Sequence, residues 1–305
     1  MPNTIAHLGV AALVTRGLIR DADIKWIFLG AALPDVPFIL KRIAIWMAPG
    51  SDILSIRVYA IIQASLLFSL LLAFACSRLS SAPRRVFVIL GLGVLLHLLL
   101  DSLQIKWGTE VHLLAPFSWW SPDFGLYWPE QFPSHLMTAL GAGYVAYAFG
   151  RRIRMESMDI VWPGVRGSAM AVTALGLYFA APLMLMDVAE DAGVGNAEIG
   201  RQADRTGYEM EIDRGPFRHE NGELRVQLFE GQFVYLDGID AELPERGKIS
   251  AKGRFVGHER FLATQFHVNN TVFRELASIV GLSIILCYWL VFFVLMVRTK
   301  RRAAD

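Results

Sequence analysis

His97 and Asp101 stand four residues apart in Leu95-Leu96-His97-Leu98-Leu99-Leu100-Asp101, where every other side chain is leucine. That spacing puts both on one face of a helix. Ionisable groups at membrane depth are costly unless they face a protein interior, water or an ion, so such a pair marks a functional site by default. A His-Asp hydrogen bond that merely ties helices together is the competing reading, and the pair alone leaves both open. Imidazole nitrogen and carboxylate oxygen form a ligand set suited to zinc, manganese or iron, and open positions on such a metal activate water.

The elements that must position this pair are mostly apolar. The chain has 305 residues, 54% of them hydrophobic, and a mean hydropathy of +0.42. A bilayer core about 30 Å thick needs roughly 20 mostly apolar residues in a spanning helix. Residues 24–40, 58–76, 85–103, 167–187 and 273–297 come close to that, and the Gly- and Ala-rich stretch 132–149 is a sixth candidate suited to close helix packing. Residues 5–19 predict a short or half-inserted helix capped by Asn3 or Thr4. The expected fold is therefore an α-helical polytopic membrane protein with six spans, a short N-terminal helix and a small β-rich extracytoplasmic domain. Its divisions are 1–165 (helical membrane domain with the metal site), 166–187 (a spanning helix), 188–272 (β-rich) and 273–305 (a spanning helix and basic tail).

Composition narrows the partners. A net charge of +1 offers no global basic surface for nucleic acid. Cys76 and Cys287 both lie in apolar runs, which argues against a disulfide framework or a thiolate zinc site. The start of the sequence has neither a basic leader nor a small-residue cleavage site, so the first apolar stretch is expected to be retained. No phosphate loop, nucleotide fingerprint or Ser-His-Asp arrangement is present, and Gly91-Leu92-Gly93 lies inside an apolar helix.

Basic residues set the orientation, because Lys and Arg favour the cytoplasmic side. Arg78, Arg84 and Arg85, then Arg151, Arg152, Arg154 and Arg166, then Arg298 to Arg302 agree with one topology, which places 104–131 and 188–272 outside. Lys41, Arg42 and Arg57 are exceptions. The same topology brings His7, Asp35, His97, Asp101, His112 and His135 to the outer side. Each has a plainer reading: His7, His112 and His135 as interfacial histidines, Asp35 as a cap at the helix break made by Pro34 and Pro37. Trp107, Trp119, Trp120, Tyr127 and Trp128 read as an aromatic belt.

Residues 188–272 alternate in short runs: Tyr208–Ile212, Leu224–Phe229, Phe233–Leu236, Lys248–Val256 and Phe261–Val268. Some five strands suit a small barrel or sandwich, an OB-like barrel first among them. His219, His258 and His267 read as solvated loop histidines.

Several pieces together resemble a family, the bacterial membrane-bound metal-dependent hydrolases typified by the SOS-regulated inner-membrane protein YdjM. They are Ala6-His7-Leu8-Gly9, Gly30-Ala31-Ala32-Leu33-Pro34-Asp35 and His97-Leu98-Leu99-Leu100-Asp101, followed by Gly108 and Leu113-Leu114-Ala115-Pro116-Phe117, all within residues 5–118. The resemblance implies that His7, Asp35, His97 and Asp101 are metal ligands of a hydrolase. It also marks departures: Pro37 stands where the family has a second acidic residue, and the family's His-Arg-Gly-x-Thr-His-Ser string is reduced to Arg57, Gln63 and Ser65. Arg57, Gln63 and His112 are then expected to orient substrate or supplement the ligands. The expectation is a metal-dependent hydrolase of the bacterial cytoplasmic (inner) membrane, with zinc, manganese or iron, acting at the outer face on a phosphoester or lipid-linked substrate. Membrane lipids, and an envelope protein bound through 188–272, are the expected partners. A non-catalytic scaffold with a degenerate metal site is the alternative, and an ion pathway a third.

Overall fold

The computed structural model describes residues 3–150, 160–228 and 231–302, with side chains as far as residue 294. Arg151, Arg152, Arg154 and Phe229, which figured in the expectations above, lie outside the described residues, as do the side chains of Arg298 to Arg302.

The chain begins with α1 (Thr4–Leu18), whose N-cap is Asn3: its side chain accepts from the Ala6 N–H. Next come α2 (Ile24–Ala32), a 3-10 turn (Leu33–Asp35) and α3 (Val36–Met47). The expected span 24–40 is thus not one helix. Pro34 and Pro37 lack the N–H groups a continuous α-helix would use, so the ladder is interrupted and tightens into the 3-10 turn. Nine residues of α2 cover roughly 13 Å of a core about 30 Å thick.

The stretch 58–76 is broken too, into α4 (Ile53–Gln63) and α5 (Leu66–Ser77), bent by 69°. Then follow α6 (Pro83–Ser102), α7 (Phe132–Gly150) and α8 (Val165–Met184). Two short helices, α9 (Met186–Asp191) and α10 (Ala197–Arg201), lead into the strands, so the segment from 188 opens helical rather than β. The last helix is α11 (Val272–Arg302).

Among the described residues, three helices are long and apolar enough to cross a membrane: α6, α8 and residues Val272–Val294 of α11; a fourth span arises if α4 and α5 count as one bent span. This replaces the six expected. The α7 segment is long enough but carries Ser134, His135, Thr138 and several glycines, and it is not among the apolar spans. Half of the α6 window is buried in the protein, against 17% for α8 and α11, so α6 is central and the other two present apolar surface outward.

Around α6 the buried Trp26, Ile27 and Phe28 of α2 meet Ile89, Leu90 and Val94, with Leu8 and Ala12 of α1. Lipid tails are as apolar as these side chains, so close backbone approach, rather than area burial, must hold such helices together in a bilayer. Gly30 and Gly93 permit that approach. A Cβ on Gly30 would stand 2.7 Å from the Leu90 carbonyl oxygen, and one on Gly93 2.8 Å from the Gly30 carbonyl carbon.

Strands β1 (Glu209–Glu220), β2 (Glu223–Gln227), β3 (Phe233–Asp237), β4 (Arg246–Gly257) and β5 (Arg260–Asn269) close into a barrel in the order β1-β2-β3-β5-β4. The β3–β5 pairing is parallel and β4 returns antiparallel to β1. Ile212, Phe217, Val226, Leu236, Ile249, Phe255 and Phe261 fill its interior. Strand β1 runs eight residues beyond the end expected at Ile212, because its register shifts between Ile212 and Gly215 and pairing with β4 resumes at Gly215. Such a bulge interrupts the period-2 pattern that sequence reading depends on.

Candidate metal centre

Four segments meet at one buried point: α1 through His7, the 3-10 turn through Asp35, and α6 through His97 and Asp101, with the loop after α6 adding Lys106. His97 and Asp101 share a helix face, as their spacing requires. The Gly30–Gly93 crossing brings the Ala31 carbonyl to 2.6 Å from His97 Nδ1. A carbonyl only accepts, so Nδ1 carries the proton and Nε2 presents its lone pair to the site.

His97 Nε2 lies 3.7 Å from both Asp35 Oδ1 and Asp101 Oδ2, and His7 Nε2 lies 3.3 Å from Asp101 Oδ1. The two imidazoles stack, with centroids 3.9 Å apart and planes 10° apart. Both His7 nitrogens, His97 Nε2 and Asp101 Oδ1 are buried without a hydrogen-bond partner. Buried polar atoms are rarely left so, and each one needs an explanation. A divalent cation supplies one: bonds of about 2.0–2.1 Å in a tetrahedral site put neighbouring donors roughly 3.3 Å apart. The ligating atoms of His7, His97 and Asp101 all lie within 4.8 Å of one another, so little movement would be needed. The residues present fit a metal by donor chemistry and spacing.

Lys106, unforeseen from the sequence, donates to Asp101 Oδ2 at 2.7 Å and is 4% exposed. Burial pulls its ammonium below the ordinary value, and the Asp101 carboxylate opposes that. A lysine beside Trp107 in a loop reads as an interfacial anchor, so nothing in its local sequence announces this contact.

The cluster forms one wall of a chamber of about 320 Å³ that the barrel closes from the other side. The β1 bulge places Asp213 and Arg214 at the chamber, Arg214 with φ of 51°. Its backbone N–H donates to Ser250 Oγ at 3.0 Å, and its guanidinium pairs with Asp213. Burial alone would raise the Asp213 carboxyl, but the Arg214 charge and the hydrogen bonds from Arg214 and Thr109 outweigh it and hold the carboxyl below its ordinary value. Gly108 ties the loop to the strand: its N–H donates to Glu211 Oε2 at 2.9 Å. At φ of +68° a Cβ there would stand 2.4 Å from the Glu211 carbonyl oxygen, so only glycine fits.

Of the residues expected to assist, Arg57 and His112 line the chamber. Arg57 donates to the Gly108 carbonyl at 2.6 Å, and His112 Nδ1 bonds the Trp119 carbonyl at 2.8 Å. Gln63 does not line it. Its Nε2 donates to the Tyr178 carbonyl at 3.1 Å and to Tyr59 Oη at 3.2 Å, joining α4 to α8. His135 bonds the Gln131 carbonyl and stacks on Phe273, outside the chamber. His267 pairs with Glu130 and stacks on Trp128, so it is a contact between barrel and loop rather than a solvated residue. Trp107 and Trp128 meet edge to face beneath the barrel, leaving Trp120, 65% exposed, as the outward member of the expected belt.

Lys41, Arg42 and Arg57, the exceptions to the charge rule, all line this chamber. Burial, with the charges of Arg57 and Arg42, holds the Lys41 amine down to about 8. Acetylation of Lys41, followed by peptide mass spectrometry against pH, should therefore show a midpoint near 8, where an ordinary lysine titrates about two units higher. A midpoint above 10 would place Lys41 in solvent.

Comparison with models of known families, with curated proteins and with solved structures gives no match.

Proposed function

We propose that this chain is a membrane-bound metal-dependent hydrolase of YdjM-like type, in which His7, Asp35, His97 and Asp101 hold a divalent cation, zinc foremost. The observation that carries the reading is the convergence of buried donor atoms, His97 Nε2, Asp101 Oδ1 and both His7 nitrogens, that no protein hydrogen bond satisfies. Two carboxylates against one ammonium, that of Lys106, leave the cluster a negative charge that suits a dication. A cation there would lower the pKa of a water and polarise a phosphoryl or acyl oxygen. The chain's own part is orientation: the Ala31 carbonyl fixes the His97 tautomer, Lys106 holds Asp101, and Arg57, His112 and Arg214 form the substrate wall.

The location belongs to the same proposal: the bacterial inner membrane, with the chamber and the barrel on the periplasmic side. The closed order of the strands, with β3 parallel to β5, supports an OB-like reading of the barrel, which by itself assigns no function. A reporter enzyme joined after Asp237 should be active in the periplasm; cytoplasmic activity would invert the orientation.

The central test is elemental analysis of protein purified in detergent without added metal. Wild type should retain about one divalent ion per chain, and His97→Ala/Asp101→Ala none. Wild type devoid of metal after incubation with zinc would sink the hydrolase reading. The Lys106–Asp101 pair would then favour the second one, a scaffold in which the cluster is a polar tie between α1, α6 and the loop, and the barrel meets an envelope partner.

A further inference from the structure

The chamber has a neighbour of opposite character. Seven Lys and Arg side chains line the chamber against four carboxylates, a cationic excess that a bound dication would increase. Arg214 Nη1 is buried there without an acceptor. Guanidinium groups suit phosphate, to which they donate in pairs. Beside the chamber runs a groove of about 420 Å³ lined by α3, α4 and the end of α8, with Leu40, Ala44, Ile56, Phe179 and Leu183 on its walls. Lys41 lines both.

The groove opens along a surface already fit for lipid. Leu183 and Met184 at the end of α8 are 64% and 85% exposed, and α8 is one of the three apolar spans. On α3 the exposed Ile39, Leu40, Ile43, Trp46 and Met47 recur at helical spacing, while Lys41 turns to the chamber. An amphipathic helix of this kind lies along a membrane interface. A soluble phosphoester would use the charged chamber and have no use for the groove.

We infer that the substrate is a lipid phosphate, its anionic head held in the chamber by Arg57, Lys106 and Arg214 and its hydrocarbon chain lying in the α3–α4–α8 groove, the two meeting at Lys41. The inference rests on reading the chamber as a substrate site and names what enters it. It commits to lipid rather than to free phosphate.

The test is equilibrium binding to the full-length protein in an uncharged detergent, with dioleoyl phosphatidic acid, dioleoyl phosphatidylcholine and glycerol 3-phosphate as probes. Each is measured with zinc and with chelator. Phosphatidic acid should bind saturably, at least roughly tenfold tighter than either of the others. Ala44→Trp, on an exposed position of the groove wall, should weaken phosphatidic acid roughly tenfold and leave glycerol 3-phosphate unchanged. Arg214→Gln should weaken both by about tenfold or more. Because Arg214 also pairs with Asp213, the exposed Arg42→Gln provides a second variant expected to weaken both without disturbing the barrel.

Equal affinity for phosphatidic acid and phosphatidylcholine would overturn the assignment of the head. Equal affinity for phosphatidic acid and glycerol 3-phosphate, insensitive to Ala44→Trp, would overturn the assignment of the chain and leave a soluble phosphoester. Selective phosphatidic acid binding by protein that takes up no metal would sustain this inference while the hydrolase reading fails. Metal uptake without selective lipid binding would do the reverse.

Discussion

Asp101→Ala should lower the unfolding free energy in detergent by about 3–5 kcal/mol, the range for removing one partner of a buried ion pair. The carboxylate is 4% exposed and stands within 2.7 Å of Lys106 Nζ and 3.3 Å of His7 Nε2. Truncation leaves the Lys106 ammonium, itself 4% exposed, without its counter-charge. The attraction lost is secondary; the uncompensated buried charge is the main cost. Asp101→Ala/Lys106→Met should accordingly recover much of the loss, because the methionine fills similar space without a charge. Wild type, Asp101→Ala, Lys106→Met and the double variant form a double-mutant cycle, and a coupling below about 0.5 kcal/mol would show that the pair is not a buried ion pair. Zinc adds a second readout. At a hundred times its dissociation constant a ligand raises stability by about 2.7 kcal/mol. Wild type should gain such an increment, whereas neither Asp101 variant should.

Gly93→Ala should destabilise the protein by about 1–3 kcal/mol, although alanine is the better helix former by about 1 kcal/mol. The new Cβ would stand 2.8 Å from the Gly30 carbonyl carbon and 2.9 Å from the Ala31 nitrogen, which are backbone atoms with no rotamer to change. Either α2 moves away from α6 or the helix bends. Both displace the Ala31 carbonyl from His97 Nδ1, so metal retention should fall together with stability. Gly91→Ala, two residues away on α6, is the control. Its Cβ would meet only a Leu70 methyl, at 3.2 Å, and that side chain can give way. It should leave the melting temperature unchanged or slightly raised. Equal effects at both positions would mean that the α2–α6 crossing is not the close contact described.

Much of the architecture was legible along the chain because its signals are local. The positions of α6, α8 and α11 follow from long, mostly apolar runs, and all but the first of the expected strand segments lie close to the strands observed. The broken spans were harder to read. Pro34 and Pro37 announce a helix break, but a run of apolar residues looks alike whether it forms one straight helix or bends midway, as α4 and α5 do at Ala64-Ser65. Lys106 and Arg214 were invisible for a different reason. Lys106 reaches back to Asp101 from the irregular loop after α6, and Arg214 enters through a positive φ at a bulge; neither leaves a periodic mark.

His97 and Asp101 show the division most directly. Their shared helix face was determined by a spacing of four, because the helical repeat is a property of the local backbone. Only the tertiary structure decided what stands opposite that face: His7 stacked on His97, Asp35 delivered by the Pro34 break, and Lys106 on the far side of Asp101. Those partners arrive because Gly30 and Gly93 let two helices touch backbone to backbone and because the barrel, joined to the loop at Gly108, closes over them. Close approach between distant segments depends on the whole fold, and no spacing within one segment encodes it.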